Sequence, residues 1–211
     1  MSRPKRPDLP RLSERLRALR DEWGGRRLDS DPLAFPHRYA SADDREVVAF
    51  LAASFAFGRV ASIRASLERL LSPLGSRPSL FLDDYRGGAI PGLDAFTHRW
   101  VTRGDAESLL HAVARARRDH GSLRALFASF DEGGDDYIAP LQGFNAALRR
   151  LAGRDATSRG LAFLLASPEG GAACKRAHLF LRWMIRSDGL DLGLWTGARF
   201  TRARLLLPMD T

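Results

Sequence analysis

Residues 47–57, with the sequence VVAFLAASFAF, say more about the fold than any other stretch of the chain. On a helix they present apolar side chains on nearly every face, which is typical of a helix buried on all sides. Ser41, followed three residues later by Asp44, has the spacing of a helix N-cap ahead of this stretch. No period-two alternation of apolar and polar residues persists anywhere in the sequence. We therefore predict an all-α fold with a buried central helix that Gly58 and Arg59 end or bend.

Further helices are predicted around this one. Residues 29–39 contain two prolines that favour an extended loop, and the breakers within 77–106 favour short helices and loops. Three prolines among basic residues make 1–10 an expected mobile arm, and the acidic, glycine-rich 131–136 an expected flexible turn. Residues 11–211 are expected to form one all-α domain with two lobes. Helical spacing of apolar residues recurs over residues 11–23, 60–71, 106–120, 122–130, 137–151 and 159–166.

The charge balance favours an anionic partner. The 211 residues include 33 Lys and Arg against 25 Asp and Glu, a formal net charge of +8, which suits nucleic acid. Cys174 is the single cysteine, which excludes an intramolecular disulfide, an iron-sulfur cluster and a cysteine-based zinc site. The five histidines show no metal-ligand spacing, so neither a metal nor another cofactor is expected.

Targeting signals are not apparent in the sequence. No apolar run approaches the roughly 20 residues that a membrane span needs. The basic N-terminus lacks the apolar stretch of a secretory signal. We therefore expect a cytoplasmic monomer without a membrane partner, associated with the nucleoid if it binds DNA.

The segment that follows Gly170 and Gly171 predicts a helix with two different faces. At 100° per residue, Lys175, Arg182 and Arg186 fall within about 40° of one another, whereas the opposite side is apolar. Such a helix packs with its apolar face and offers cations to an anionic partner. A short helix, a glycine turn and a second helix also leave backbone N–H groups that can receive a phosphate.

Lysine is rare in this chain, since only Lys5 and Lys175 occur among the 33 basic residues. A lysine retained in a helix where arginine is otherwise used hints at chemistry that a guanidinium cannot perform, namely attack by a neutral amine. Asp210 follows an apolar run and a proline, and it gains interest as a carboxylate partner for Lys175. Asp188 and Asp191 lie beside glycines, which favours capping and turn roles over a metal site.

Two parts of the sequence carry a family resemblance. ACKRAHLFLRWMIRSDGLDLGLW with LLLPMDT, and DPLAFPHRY with FAFGR, resemble the domain-of-unknown-function 2400 family from residue 31 to the end. That family is distantly similar to helix-hairpin-helix DNA glycosylases of the archaeal 8-oxoguanine type. The resemblance implies a Schiff-base nucleophile at Lys175 and a catalytic carboxylate at Asp210. LASPEGGAACK stands in place of the hairpin and departs from the usual Leu-Pro-Gly-Val-Gly pattern.

Two functions follow as hypotheses, a DNA-repair glycosylase with lyase activity and a non-catalytic nucleic-acid binder on the same scaffold. The aromatic loop 29–39 is either a wall of a site or a packed connector. Because the chain stops one residue after Asp210, we expect the helix-hairpin-helix fold to be incomplete at its C-terminus. The candidate residues are Lys175 and Asp210 for catalysis, Arg176, Arg182, Arg186, Gly170 and Gly171 for nucleic-acid binding, and Phe35, Tyr39 and Trp183 for a base pocket.

Overall fold

The computed structural model of the protein describes residues 8–23, 28–153 and 158–208. Helices dominate these residues, which confirms the predicted all-α class. They are α1 (Leu9–Trp23), α2 (Ala34–His37), α3 (Ala42–Ser54), α4 (Val60–Leu71), α5 (Pro78–Asp84), α6 (Arg103–His120), α7 (Leu123–Ala128), α8 (Ile138–Leu151), α9 (Arg159–Leu164) and α10 (Lys175–Ile185). Short 3-10 helices span Leu28–Ser30, Ser72–Leu74, Pro168–Gly170 and Arg202–Arg204.

Helix α3 is the buried centre of the fold, as predicted. Its residues from Val47 to Ala53 are almost completely closed to solvent. Helices α2 and α10 pack along α3, while α6 packs against α5 and α8. The buried side chains form one continuous hydrophobic cluster. The all-round apolar pattern is explained by this packing, because α3 has neighbours on several sides.

One buried carboxylate joins three parts of the core. Glu46 of α3 accepts hydrogen bonds from the backbone N–H groups of Leu123 and Arg124, at 2.9 and 3.1 Å. Its Oε1 also accepts the indole N–H of Trp195 at 2.7 Å. Burial raises the pKa of Glu46, although these hydrogen bonds oppose the effect. Glu46 therefore caps the start of α7 and holds the segment after α10 against the central helix.

The prediction of an extended loop over residues 29–39 is wrong. This stretch holds a 3-10 helix and α2, and Pro36 lies inside α2. A proline is tolerated there because the N–H groups of a first helical turn have no intrahelical partner. A small hairpin also appears where no strand was expected, with Thr97–His98 (β1) pairing antiparallel to Val101–Thr102 (β2).

Two expectations for acidic residues need correction. Ser41 is the N-cap residue of α3, but its side chain makes no cap hydrogen bond. Asp44 instead accepts the backbone N–H of Ser79 at 2.8 Å, at the start of α5. Asp131, expected in a flexible turn, is buried and forms a two-pronged ion pair with Arg204 at 2.8 and 2.9 Å. That pair fixes the segment that follows α10 to the body of the protein.

Helix α1 presents leucines to solvent. Its first residue, Leu9, lies inside the predicted basic arm, and residues 1–7 of that arm lie outside the described residues. Leu9, Leu12, Leu16 and Leu19 are each more than two-fifths exposed. None of the described helices has both the length and the apolar character to cross a bilayer.

Candidate functional site

The first turn of α10 carries the lysine that the sequence singles out. The chain leaves α9, makes the 3-10 helix Pro168–Gly170 and turns at Gly171, whose φ is +73°. Cys174, the N-cap residue of α10, also has a left-handed backbone with φ of +45°. Lys175 is the first helical residue and is exposed. The predicted glycine turn therefore exists, and it delivers Lys175 to the surface at a helix N-terminus.

The neighbouring Arg176 points inward. Its guanidinium donates to the carbonyl oxygens of Ser54, at 3.4 Å, and of Phe163. The guanidinium carbon lies 3.8 Å from the ring centroid of Phe163 and 5.0 Å from that of Phe57. Burial lowers the pKa of Arg176 to about 10, and the group stays protonated at neutral pH. No carboxylate pairs with it among the described residues, so carbonyl dipoles and ring faces alone balance its charge.

Aromatic rings surround this arginine. Phe57, Trp100 and Phe163 lie with their centroids 4.8 to 5.5 Å apart, and His98 contacts Phe57 at 4.4 Å. We call these four residues and Arg176 the Arg176 cluster. They come from the α3–α4 connection, the β1–β2 hairpin, α9 and α10. Four separate elements therefore meet at the base of α10.

His98 shows how this cluster is held and charged. Its Nδ1 and Nε2 lie 2.9 Å from the Ser66 hydroxyl and the Phe57 carbonyl. The pKa of His98 is lowered mainly by burial, and the charges of Arg99, Arg69 and Arg176 lower it further. Three guanidinium groups therefore act on one imidazole.

Backbone strain is also found beside this cluster. Arg99 and Cys174, with φ of +56° and +45°, are the two non-glycine residues of the described chain in the left-handed region. A side chain in that conformation costs about 1 to 3 kcal/mol unless the surrounding structure imposes it. Arg99 lies next to Trp100, and Cys174 lies two residues before Arg176. Such strain is common at functional sites, so the segments that carry Arg99 and Cys174 are candidates for one.

The exposed part of the cluster is Trp100. Its side chain is 40% exposed, although the ring packs against Phe57 and Phe163. The guanidinium of Arg99 lies 4.8 Å from the Trp100 ring centroid. Arg59 is exposed as well, one residue after Gly58, which lies beside the Arg99 side chain. An aromatic surface with cations around it therefore opens to solvent.

The other end of α10 carries arginines that already have acidic partners. Arg182 Nε lies 3.0 Å and Arg186 Nε 3.3 Å from the same carboxylate oxygen of Asp191. Arg186 also pairs with Asp188, and it lies beyond the helix, which ends at Ile185. Burial raises the pKa of Asp191, while the two arginines oppose that shift. Two of the three cations of the predicted basic face, Arg182 and Arg186, are thus held by the acidic residues of the segment after α10.

Asp188 and Asp191 differ in their local roles. Asp188 accepts the N–H groups of Leu190 and Asp191 at 3.2 and 3.0 Å, which is the turn role that the sequence indicates. Asp191 is an ion-pair partner with a fully buried side chain. Its second oxygen has no hydrogen-bond partner among the described residues. Within that same part of the chain, no group of three His, Cys, Asp or Glu residues is arranged to hold a metal.

The proposed base-pocket residues are not grouped at this surface. Phe35 and Trp183 are closed to solvent, at 0% and 2% exposure, as parts of the core. Tyr39 is half-buried, and Arg38 stacks on the Phe35 ring at 4.2 Å. The segment before α3, which contains α2, is therefore a packed connector. Asp210 lies outside the described residues, so its position relative to Lys175 stays a prediction.

Comparison with known proteins gives one match. The sequence model of a family described as "Protein of unknown function (DUF2400)" matches residues 31–211. The chain belongs to the DUF2400 family. No curated protein and no solved structure matches this DUF2400 chain. The similarity to helix-hairpin-helix glycosylases therefore stays a hypothesis drawn from the residues.

Sequence reasoning missed the aromatic part of this DUF2400 site. Phe57 belongs to the FAFGR stretch that carries the family resemblance, but its ring contacts depend on residues more than 40 positions away. Trp100 follows Arg99 in a two-residue hairpin turn without the Asn or Gly that usually marks such turns. Phe163 reads as one apolar residue of a short helix. The sequence offered one indication of this site, because FAFGR and the Lys175 segment both belong to the family resemblance.

Proposed function

We propose that this DUF2400 protein acts on DNA and uses the Lys175 amine as a nucleophile at damaged or abasic nucleotides. The observation that supports it is the position of Lys175. One of only two lysines in a basic chain is the first residue of α10, exposed to solvent and adjacent in sequence to a buried arginine cluster. A helix N-terminus also favours anions, so a DNA phosphate is stabilised near this amine.

The reaction is an attack of the neutral amine on the sugar carbon C1′. A nitrogen–carbon bond forms while the glycosidic bond breaks, and the base leaves with the bonding electron pair and takes up a proton. Loss of the amine proton and opening of the sugar ring at O4′ then give an imine. Asp210 is assigned the stabilisation of positive charge on the sugar, as the family resemblance implies.

Borohydride trapping tests this chemistry, because an imine is reducible and an ion pair is not. The complete chain is incubated with DNA carrying an abasic site or an oxidised purine, and the adduct is digested and mapped by mass spectrometry. We expect the DNA adduct on the peptide that contains Lys175. The adduct should be lost in Lys175→Arg and should still form in Lys5→Arg. Lys5→Arg is a matched control since it removes the other lysine of the chain.

A second function, nucleic-acid binding without catalysis, is favoured by exposed cations on the segments that carry Phe57, Trp100 and Arg176. Arg59, Arg99 and Lys175 are all exposed, and a binder needs only their charge. In that case Lys175→Arg retains affinity and no adduct forms with any lesion. Affinity measured by fluorescence anisotropy beside the trapping assay separates the two functions. An adduct on the N-terminal amine or on Lys5 alone would contradict the assignment of Lys175.

A further inference from the structure

The Trp100 surface differs from the rest of the aromatic core in its exposure. Phe57 and Phe163 are only partly exposed and support the indole, whereas Trp100 itself is 40% exposed. An indole held from behind by two rings is a rigid platform, because its orientation is fixed before any ligand arrives. Ring faces of this kind stack nucleobases in proteins that bind single strands.

Cations lie over this platform and on the segments that carry its neighbours. Arg99 lies over the indole at 4.8 Å, and the side chains of Arg59 and Lys175 are exposed on the neighbouring segments. The pKa of His98, which is lowered mainly by burial, is lowered further by the charges of Arg99, Arg69 and Arg176. Aromatic surface alone would suit many apolar ligands. Aromatic surface among cations suits a ligand that joins a flat ring to an anion, as a nucleotide does.

The geometry of the hairpin also favours a ligand at Trp100. Arg99 and Trp100 form the turn between β1 and β2, and Arg99 is held at φ of +56°. This strained turn directs two long side chains to the surface from a minimal loop. Phe163 of α9 packs against the indole and is itself packed against Arg176 of α10.

From these observations we infer that Trp100 and Arg99, whose guanidinium lies over the indole, together stack an unpaired nucleobase of single-stranded or locally opened DNA. The inference rests on the proposed function and specifies its substrate as DNA with an accessible base face. It also replaces Phe35, Tyr39 and Trp183 as the residues that contact the base. A fully paired duplex offers no such face away from its ends.

The test compares three ligands of equal length: single-stranded oligothymidine, a duplex with one unpaired 2-aminopurine, and the fully paired duplex. Trp100→Ala is expected to weaken binding of the first two about tenfold or more and to leave the paired duplex within about twofold. Trp100→Phe should retain most of the affinity because it keeps a ring. The 2-aminopurine emission should be quenched on binding of the unaltered protein and of Trp100→Phe, and unquenched with Trp100→Ala.

Controls separate stacking from loss of structure. Leu80→Ala changes another exposed apolar side chain, on α5, and should leave all three affinities unchanged. Trp100→Leu keeps apolar volume without an aromatic face, so it serves if the alanine variant unfolds in a thermal melt. It should then bind as weakly as expected for Trp100→Ala.

The outcomes are distinguishable. Equal losses on paired and unpaired ligands, or full affinity in Trp100→Leu, would overturn the stacking role while the proposed DNA function stands. Failure of the unaltered protein to bind any of the three ligands would overturn both.

Discussion

Replacing Arg176 with methionine tests whether a partly buried cation, for which the described residues supply no acidic partner, stabilises this fold. Methionine has a similar length and remains apolar, so it fills much of the space while removing the charge and its donors. The variant leaves the carbonyl oxygens of Ser54 and Phe163 without their guanidinium donor. It also removes the contacts with the rings of Phe57 and Phe163.

The contribution of Arg176 to the free energy of unfolding is the difference between opposing effects. The pKa of Arg176 falls from 12.5 to about 10, which corresponds to about 3 kcal/mol for holding the charge in this site. Two hydrogen bonds from a charged donor contribute about 2 kcal/mol each. Two cation–π contacts contribute about 1 kcal/mol each. Favourable contacts of about 6 kcal/mol against a burial cost of about 3 kcal/mol leave a net stabilisation of about 3 kcal/mol.

Urea denaturation at 25 °C, followed by far-ultraviolet circular dichroism, measures this difference as a change in the free energy of unfolding. Arg15→Met is the matched control, because Arg15 is exposed on α1 and its loss should change the value by less than about 0.5 kcal/mol. An unchanged or increased stability in Arg176→Met would refute the reasoning. It would mean that desolvation of the guanidinium outweighs its contacts, as happens for some buried charges.

Three further predictions concern binding, packing and pH. Affinity for DNA should fall linearly with log salt concentration in anisotropy titrations, because bound phosphates release counterions; binding that is independent of salt would argue against phosphate contacts. Gly160→Ala should destabilise the fold by about 2 kcal/mol in thermal unfolding, because the new Cβ would lie well under 3.0 Å from the Asp105 carboxylate. Gly104→Ala is the control, since its Cβ has space and the change should be neutral or slightly stabilising. Hydrogen bonding from Arg204 lowers the pKa of Asp131 from its ordinary value of 3.8. The pair therefore stabilises the fold at pH values above 3.8, and this stabilisation is lost as the pH falls through the lower pKa of the folded state. Asp131→Asn should therefore cost about 3 kcal/mol at pH 7 and flatten the acid limb of a stability-versus-pH curve; an unchanged acid limb would contradict this assignment.

Most of the helices could be predicted because their periodicity is local. The prediction for 60–71 coincides with α4, and the breakers Gly58 and Pro73 account for both of its ends. Helix α2 was missed because proline suggests a break, although the first turn of a helix accepts it. The hairpin was missed because four strand residues are too few to show an alternation.

The site could be predicted only in part. Lys175 stood out by composition and lies at the surface, as a helix N-terminus after a glycine turn should place it. The pairing of Arg182 and Arg186 with Asp191 could not be foreseen, because it depends on how the segment after α10 folds back. Periodicity likewise does not predict that Arg176 points inward, because the carbonyl groups that accept its hydrogen bonds come from α3 and α9.

The ion pairs at the far end of α10 have a consequence for how the molecule meets a polyanion. Arg182 and Arg186 are matched in number by Asp188 and Asp191, so that end is close to electrically neutral, whereas the helix dipole is positive at the other end, where the helix begins. Attraction is then concentrated at one tip of the helix instead of along its length. A strand held by such a tip has a short footprint of about two or three phosphates, which corresponds to a log–log salt slope of about −2.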